Sequence, residues 1–380
     1  RFKQIVTKRV ESMEPFKIEH VKMSKIIVPL KNPFQTKLQH VQEREAIIVE
    51  LSTGDQTGLG ECVAFTTPWY TEETIKMAWF VMKHYLIPEL LKATFTHPDD
   101  LTNYFSHIKG NRMAKAAIEQ ALWDLYAKRQ QRPLYEVLGG SRTAIDAGVV
   151  VTWQTVEELK QKVDEAVEDG YTRVKIKVSP QSDVEALTEV VQKYPDLLFF
   201  ADANSTFTSC PTVILERFDA IGFRLFEQPF REDDWLDHQR LTEKFTTPIA
   251  LDESIRSYAD AKRLVRMHAA DCIVLKPGRV GGTSRSANVI RFAKEHEVDV
   301  WLGGMIEFGI SKAHNLALAS LDGVTLPGDF SASNHFWEQD IIQEPLTVEK
   351  GKMHIIEAPG IGVTLNEEVL RSYEYKRFES

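Results

Sequence analysis

Six side chains along the chain are suited to acid–base or metal chemistry, and five of them recur at nearly constant intervals. The six are Lys175, Lys177, Asp202, Glu227, Asp252 and Lys276. The steps from Lys177 onward are 25, 25, 25 and 24 residues, and the last four side chains lie in the stretches FFADAN, RLFEQP, IALDES and IVLKPG. An interval of this length fits one strand, one helix and their connections, so all six should lie near the same end of a set of parallel strands.

The surrounding sequence supplies such strands. Short apolar runs alternate with charged, amphipathic segments such as TVEELKQKVDEAVEDG. We predict strands at 146–152, 173–178, 198–203, 223–228, 248–252, 272–276, 298–303 and 324–329. Eight strands at this spacing favour a closed barrel over an open sheet, and the carboxyl ends of barrel strands are where such proteins place active sites.

The rest of the chain has a different texture. The stretches KIEHVKMSKIIVPL, EAIIVELSTGD and GLGECVAF predict an antiparallel sheet, and two helical stretches follow. We therefore expect an N-terminal α+β capping domain over 13–135, a barrel over 136–335, and a segment over 336–380 that returns to the capping domain. Residues 1–12 are interpreted as an extension ahead of Met13.

Composition excludes several classes of function. The chain has 380 residues, 43% hydrophobic and 27% charged, with a net charge of −9, and it lacks the roughly 20-residue apolar run of a membrane span. We expect neither a nucleic-acid nor a membrane partner, and a cytoplasmic location. The three cysteines are far apart, which argues against a disulfide framework and a thiolate zinc site.

The three acids predict a metal site. Asp202, Glu227 and Asp252 would repel one another at a barrel mouth unless a cation lay between them. Hard oxygen ligands select Mg²⁺, with Mn²⁺ as a substitute. Each acid taken alone has an ordinary alternative as a helix N-cap or a solvated loop residue, but their shared spacing favours the metal site.

The lysines predict proton transfer. Lys175 and Lys177 point to the same side of their strand, and the alternative of a solvated edge strand is disfavoured because a barrel has no free edge. A lysine close to a second lysine and to Mg²⁺ should have a lowered pKa, so that Lys177 could act as a general base tuned by Lys175. Lys276 would face them across the metal, its alternative being a surface lysine before a Pro-Gly turn.

With these residues, the chain resembles the muconate-lactonising subgroup of the enolase superfamily over nearly its whole length. The stretches GGMIEFGISKAHNLALASL (303–321) and PGDFSASNHFWEQD (327–340) resemble the o-succinylbenzoate synthase and N-succinylamino acid racemase family. The resemblance implies a modified (β/α)7β TIM-type barrel with an α+β capping domain. It also implies Mg²⁺-dependent dehydration of 2-succinyl-6-hydroxy-2,4-cyclohexadiene-1-carboxylate, a small carboxylate, in menaquinone biosynthesis.

The resemblance also implies roles for individual residues. Lys177 would remove the proton next to the substrate carboxylate, and Lys276 would stabilise the dienolate or act as the second acid–base group of a racemase. The positions that match the family's substrate-contacting segments are Gly304, Met305, Ile306, Phe34, Phe65 and Tyr70, with Phe336 as an addition to the apolar wall.

Several alternatives stay open at this point. Asn204, Gln228 and Glu253 could support the metal ligands or simply cap local structure, and Arg279 could bias a lysine pKa or form a loop salt bridge. N-succinylamino acid racemase, as a sole or second activity, is the first alternative function. A muconate-type cycloisomerase and a non-catalytic metal-binding barrel are the others. Ser331, two residues after Asp329, counts against a dipeptide epimerase. Homo-oligomerisation is also open.

Overall fold

The structure is a computed structural model that describes residues 14–35 and 40–380. Its strands are β1 (His20–Gln35), β2 (His40–Thr53), β3 (Gln56–Cys62), β4 (Ala144–Asp146), β5 (Gly148–Val151), β6 (Arg173–Lys177), β7 (Leu198–Asp202), β8 (Leu225–Glu227), β9 (Ile249–Leu251), β10 (Cys272–Leu275), β11 (Asp299–Leu302), β12 (Val348–Glu349), β13 (Lys352–His354) and β14 (Glu374–Glu379).

The helices alternate with these strands through the central part of the chain. They are α1 (Ile75–Val81), α2 (Ile87–Leu90), α3 (Leu101–Tyr104), α4 (Arg112–Arg129), α5 (Leu134–Val137), α6 (Val156–Glu168), α7 (Val184–Lys193), α8 (Thr212–Asp219), α9 (Trp235–Lys244), α10 (Tyr258–Met267), α11 (Pro277–Val280), α12 (Thr283–Glu295), α13 (Gly309–Ala319), α14 (Ser333–Phe336) and α15 (Glu367–Tyr373). A π-helical turn (Met82–Leu86) joins α1 to α2, and a 3₁₀ turn (Pro98–Asp100) precedes α3. No helix among the described residues is both long and apolar enough to cross a membrane.

The predicted antiparallel sheet is confirmed and has a fourth member. Its strand order is β14-β1-β2-β3, so the last strand of the chain pairs with the first. Helix α4 lies against β3 at very short range. A Cβ added at Gly58 or Gly60 would lie 2.0 Å from the carbonyl oxygen of Ala121 or Ala117, respectively. Only glycine permits this approach of helix and strand.

The predicted parallel barrel is also confirmed. Strands β5 to β11 form one seven-stranded parallel sheet in chain order, and each strand is followed by at least one helix. Helices such as α6 and α7 bury their apolar positions against the sheet, and side chains of Thr155 and Asp183 cap their N-termini. The observed strands are shorter than the predicted ones, most clearly at 223–228, where β8 has three residues.

The eighth predicted strand, 324–329, is wrong as a regular strand. The segment nevertheless lies between β11 and β5 and closes the barrel. The N–H of Asp329 donates to the Leu302 carbonyl at 2.8 Å, and the N–H of Gly148 donates to the Gly328 carbonyl at 2.8 Å. Pro327 lies within the segment and has no N–H to donate, so a continuous ladder is not possible there.

The start of the first predicted barrel strand, 146–152, is also wrong. Residues 144–146 form β4, which pairs with β13 in a small three-stranded sheet, and the barrel strand begins only at Gly148. Inside the barrel, an apolar layer closes the space beneath the carboxyl ends of the strands. Its members are Phe200, Leu225, Ala250, Cys272, Val274 and Trp301. The polar residues predicted to do chemistry therefore lie above a buried apolar layer.

Candidate active site

The predicted chemistry-bearing residues converge at the carboxyl end of the barrel. Lys177 pairs in register with Asp202, and Asp202 pairs with Glu227. Asp252 and Lys276 follow the next two strands directly. In the sheet, β6 and β10 lie two strands to either side of β8, so the two lysines flank the row of acids.

Lys177 lies at one end of this row. Its Nζ donates to Asp202 Oδ2 at 2.6 Å and to Asn204 Oδ1 at 2.5 Å. The indole of Trp153 donates to the Lys177 carbonyl at 2.9 Å, which braces the backbone. The Lys177 side chain is 20% exposed, so its ammonium is open to the cavity above.

Lys276 lies at the other end. Its Nζ donates to Asp252 Oδ2 and to the Tyr70 hydroxyl, both at 2.8 Å, and lies 4.7 Å from the centre of the Tyr70 ring. Arg279 donates through Nη1 to Asp252 Oδ1 and to the same hydroxyl. Tyr70, which comes from the capping domain, thus contacts both cations. Arg279 therefore forms a salt bridge, the alternative to biasing a lysine pKa, and its partner Asp252 is a predicted metal ligand.

Lys175 is enclosed by acids. Its Nζ lies 2.9 Å from Asp329 Oδ2, 3.1 Å from Glu227 Oε2 and 3.4 Å from Asp202 Oδ2. Burial by itself would lower the pKa of Lys175, but these three carboxylates outweigh it and raise the pKa well above its ordinary value. The pKa of Lys276 is likewise raised, because Asp252 outweighs burial. Both lysines are therefore held in their charged forms by neighbouring carboxylates.

Asp329 was missed as a site residue by sequence reasoning. Besides Lys175, it accepts hydrogen bonds from Arg173 Nη2 at 2.7 Å and from the Gly304 N–H at 3.2 Å. The signal that could have found it is its position 25 residues after Gly304, at the end of the segment that replaces the eighth strand.

The acids are suited to a cation. Asp202, Glu227 and Asp252 are each at most 2% exposed. The pKa of Glu227 lies well above its ordinary value because burial and the Asp202 charge both disfavour its ionised form. Glu253 Oε2 is buried without a hydrogen-bond partner among the described residues, and Glu227 Oε2 lies 3.1 Å from the Lys175 ammonium. Buried carboxylates that repel one another fit a hard divalent cation.

The three predicted ligands are spread along the row and do not converge on one point. Within residues 14–35 and 40–380, no three acidic, histidine or cysteine side chains converge at coordinating distance. The ammonium of Lys175 instead lies among Asp202, Glu227 and Asp329.

The residues predicted to support the ligands form two separate contacts. Asn204 Nδ2 donates to Glu253 Oε1 at 2.9 Å, which links Lys177 to Glu253 through the Asn204 side chain. Gln228 accepts from the Asp252 N–H at 2.9 Å and donates to Ser254 Oγ at 2.8 Å. Asn204 and Gln228 both have a φ of 40°, so the backbone at each residue adopts a left-handed conformation that is uncommon outside glycine.

A cavity of about 520 Å³ opens above these groups. Its walls include the predicted substrate-contacting residues whose side chains are described, which are Phe65, Tyr70, Gly304, Met305, Ile306 and Phe336. Trp69, which was not predicted from the sequence, also lines the cavity. The Phe34 backbone belongs to β1, but its side chain lies outside the described residues. The rings of Phe65 and Trp69 lie 4.6 Å apart, so the capping domain supplies an aromatic roof.

Comparison with known proteins agrees with this architecture. Residues 18–139 match the mandelate racemase / muconate lactonizing enzyme N-terminal domain, and residues 158–369 match the enolase C-terminal domain-like family. An enolase-superfamily protein from Listeria innocua superposes with a TM-score of 0.93 at 36% identity, covering 96% of this chain and 98% of that one.

Two named activities are represented among the similar relatives. The o-succinylbenzoate synthase of Geobacillus stearothermophilus is 42% identical over 94% of this chain and 96% of its own length. The N-succinylamino acid racemase of Thermus thermophilus is 37% identical over 92% of this chain and 95% of its own length. Members of the superfamily generally use Mg²⁺. From the matches over both of its parts, the chain belongs to the mandelate racemase / muconate lactonizing enzyme family, within the enolase superfamily of enzymes.

Proposed function

We propose that this protein is a Mg²⁺-dependent o-succinylbenzoate synthase, which dehydrates 2-succinyl-6-hydroxy-2,4-cyclohexadiene-1-carboxylate in menaquinone biosynthesis. The observation that carries the proposal is the pair of lysines that face one cavity from opposite ends of a row of three buried carboxylates. Identities of about 40% to named synthases over nearly the full chain support the same reaction.

The cavity suits a small carboxylate with a ring. Its volume of about 520 Å³ lies in the ordinary range for small-molecule sites. Aromatic and aliphatic side chains from the capping domain and from Met305 and Ile306 can cover an apolar ring. The lysines at the bottom of the cavity can receive the ring carboxylate. The substrate would therefore bind with its carboxylate toward the lysines and its ring toward the capping domain.

Asp202, Glu227 and Asp252 would hold the metal. Mg²⁺, when bound, supplies positive charge that neutralises the charge growing on the substrate carboxylate during proton removal. The same charge would favour the ionised form of Glu227, whose pKa is otherwise raised by burial and by Asp202.

Lys177 would act as the base. In its neutral form, its Nζ takes the proton from the ring carbon next to the carboxylate, leaving an enediolate. The electron pair of the broken C–H bond then forms a ring double bond as the neighbouring C–O bond breaks. The proton held by Lys177 leaves with the hydroxide as water, so one base serves both halves of the dehydration.

Lys276 would act from the opposite side. Its raised pKa keeps it protonated, which suits a fixed cation against the face of the dienolate. Tyr70 and Asp252 hold its Nζ in place through hydrogen bonds. Lys175, enclosed by three acids, would remain a fixed positive charge beneath the substrate carboxylate.

N-succinylamino acid racemase activity is the second candidate. It is favoured by one observation, a second lysine on the far side of the acids, because a racemase needs an acid–base group on each face of the carbon. Racemase-named relatives at 37% identity also support it. Both reactions begin with the same proton removal.

The synthase is tested by the ultraviolet absorbance of the cyclohexadiene substrate. Wild-type protein with Mg²⁺ should remove the absorbance, and a chelator or Lys177→Ala should abolish the loss. Lys193→Ala is a matched control, because Lys193 lies on α7 with its side chain 53% exposed and paired to Asp164. Absence of turnover by the wild-type protein with Mg²⁺ would refute the synthase proposal.

The racemase is tested by deuterium exchange into each enantiomer of an N-succinyl amino acid. Lys177→Ala should stop exchange into one enantiomer and Lys276→Ala should stop exchange into the other. A racemisation kcat/KM far above that of dehydration would reverse the order of the two candidates. A muconate-type cycloisomerase would turn over neither substrate, and a non-catalytic barrel would bind Mg²⁺ without any exchange.

A further inference from the structure

Arg44 lies in the capping-domain strand β2 but contacts the barrel side of the cavity. It is 1% exposed, and its guanidinium is bonded to four backbone carbonyls rather than to a carboxylate. Nε donates to the carbonyl of Ile306 at 3.2 Å. Nη1 and Nη2 donate to the carbonyls of Ala64 and Val63 at 2.6 and 2.5 Å.

The two segments held by Arg44 both form walls of the cavity. Phe65 follows the capping-domain carbonyls, and the Arg44 guanidinium lies 4.3 Å from the centre of its ring. Ile306 lies opposite, on the barrel side, in the segment after β11. A single side chain therefore joins the roof of the cavity to its barrel wall.

The backbone of Ile306 needs such a support. Its φ is +55°, a left-handed conformation that a β-branched residue adopts only at a cost. The preceding residues are held from the barrel itself, Gly304 by Asp329 and Met305 by Glu307, each through its N–H. The Arg44 bond to the Ile306 carbonyl comes from the capping domain, whose Glu61 also accepts from the N–H groups of Phe308 and Ser311 farther along the segment.

We propose that Arg44 is a positioning residue that fixes Met305 and Ile306 against the Phe65 loop, so that the substrate-contacting wall exists only while the two segments are joined. The inference deepens the proposed function, because it concerns the wall of the same cavity. The planar fork of arginine can reach carbonyls on both segments at once, whereas the single ammonium of lysine cannot reproduce this geometry.

Arg44→Lys is the primary test, and Arg129→Lys is the matched control. Arg129 also packs against a phenylalanine, its guanidinium lying 4.7 Å from the Phe16 ring centre, but Phe16, unlike Phe65, does not line the cavity. With the cyclohexadiene substrate and Mg²⁺, Arg44→Lys should raise KM about tenfold or more with kcat within about threefold of wild type. The control should leave both constants unchanged.

A second variant separates positioning from general stability. Glycine adopts positive φ freely, so Ile306→Gly removes the need for a support at that residue. In the Ile306→Gly background, Arg44→Lys should raise KM by only about twofold. An undiminished effect of Arg44→Lys in this background would contradict the proposal, as would a lower Tm of Arg44→Lys with an unchanged KM.

Amide hydrogen exchange measures the same coupling without activity. In Arg44→Lys, peptides covering 303–309 should exchange faster, while peptides from the centre of β1 and β2 should not change. If Arg44→Lys does not fold, the wild-type protein decides, because peptides around 63–65 and 303–309 should open with matching time courses. Different time courses would overturn the proposal. If the wild-type protein does not turn over the substrate, the proposed function is refuted. The hydrogen-exchange result would still decide whether Arg44 is a positioning residue.

Discussion

Replacing Asp329 by asparagine should strongly destabilise the protein. In the structure, Asp329 Oδ1 lies 2.7 Å from Arg173 Nη2, and Oδ2 lies 2.9 Å from Lys175 Nζ. The side chains of Asp329, Arg173 and Lys175 are 8%, 0% and 4% exposed, respectively. Arg173 Nε and Nη1 have no hydrogen-bond partner in the described part of the chain, so Asp329 carries most of the compensation for that buried charge.

An asparagine side chain at this position would have nearly the same shape as the aspartate but no charge. Its carbonyl could still accept from Arg173, but its NH₂ group would then face the Lys175 ammonium and the Gly304 N–H. Removing one partner of a buried ion pair costs about 3–5 kcal/mol, because it leaves an uncompensated charge. That loss is large against a typical total stability of about 5–15 kcal/mol.

Urea unfolding in the presence of a chelator measures this loss. Asp146→Asn is the matched control, because Asp146 lies 2.6 Å from Lys352 Nζ but both side chains are nearly half exposed. A pair so exposed should contribute at most about 1 kcal/mol. Equal, small losses for the two variants would refute the reasoning that burial makes the Asp329 pair essential.

The pH dependence of the Asp329 effect has a defined sign. Burial would raise the pKa of Asp329, but Lys175 and Arg173 outweigh it and hold the pKa well below the ordinary range. A depressed acid pKa contributes stability above the unfolded-state value and loses it as the pH falls through the folded-state value. The difference between wild type and Asp329→Asn should therefore persist from neutral pH down to about pH 4.

Three further outcomes are expected. Burial lowers the pKa of His314 to about 4. Between about pH 6.5 and about pH 4, this histidine is therefore protonated in the unfolded chain but neutral in the folded protein. The free energy of unfolding should fall as the pH drops through this range. His314→Gln should flatten that fall in urea titrations. Glu227→Gln should leave the metal-free protein at least as stable as wild type at pH 7. In wild type, Mg²⁺ at about 100 times its Kd should raise the free energy of unfolding by about 2.7 kcal/mol, and Glu227→Gln should abolish this gain. Thermal melts with and without Mg²⁺ measure both effects. Gly58→Ala should cost about 1–3 kcal/mol or more in denaturant titrations, since its Cβ would meet the Ala121 carbonyl, whereas Gly110→Ala, with open space around it, should cost about 1 kcal/mol.

Much of the site was predictable because its residues follow the period of the fold. In a parallel barrel, each strand end recurs after one strand and one helix, so constant spacing from Lys177 to Lys276 places those residues together without any knowledge of contacts. The barrel and the antiparallel capping sheet were predicted for the same reason, because local apolar patterns specify which strands form.

What the pattern could not predict are contacts between elements with no common period. Arg44 bonds to the carbonyl of a residue 262 positions later, and the Tyr70 hydroxyl lies between Lys276 and Arg279, more than 200 positions away. The placement of Lys175 among three acids likewise depends on Asp329, which joins the barrel through a segment interrupted by Pro327.

The sequence by itself therefore determined the barrel, the row of three acids and the lysines that flank it, because local patterning and chain spacing decide those features. Only the tertiary structure decided how the charges are paired and how the roof is joined to the barrel. Side-chain pairing depends on distances between elements far apart in the chain, and hydrophobic periodicity carries no information about those distances.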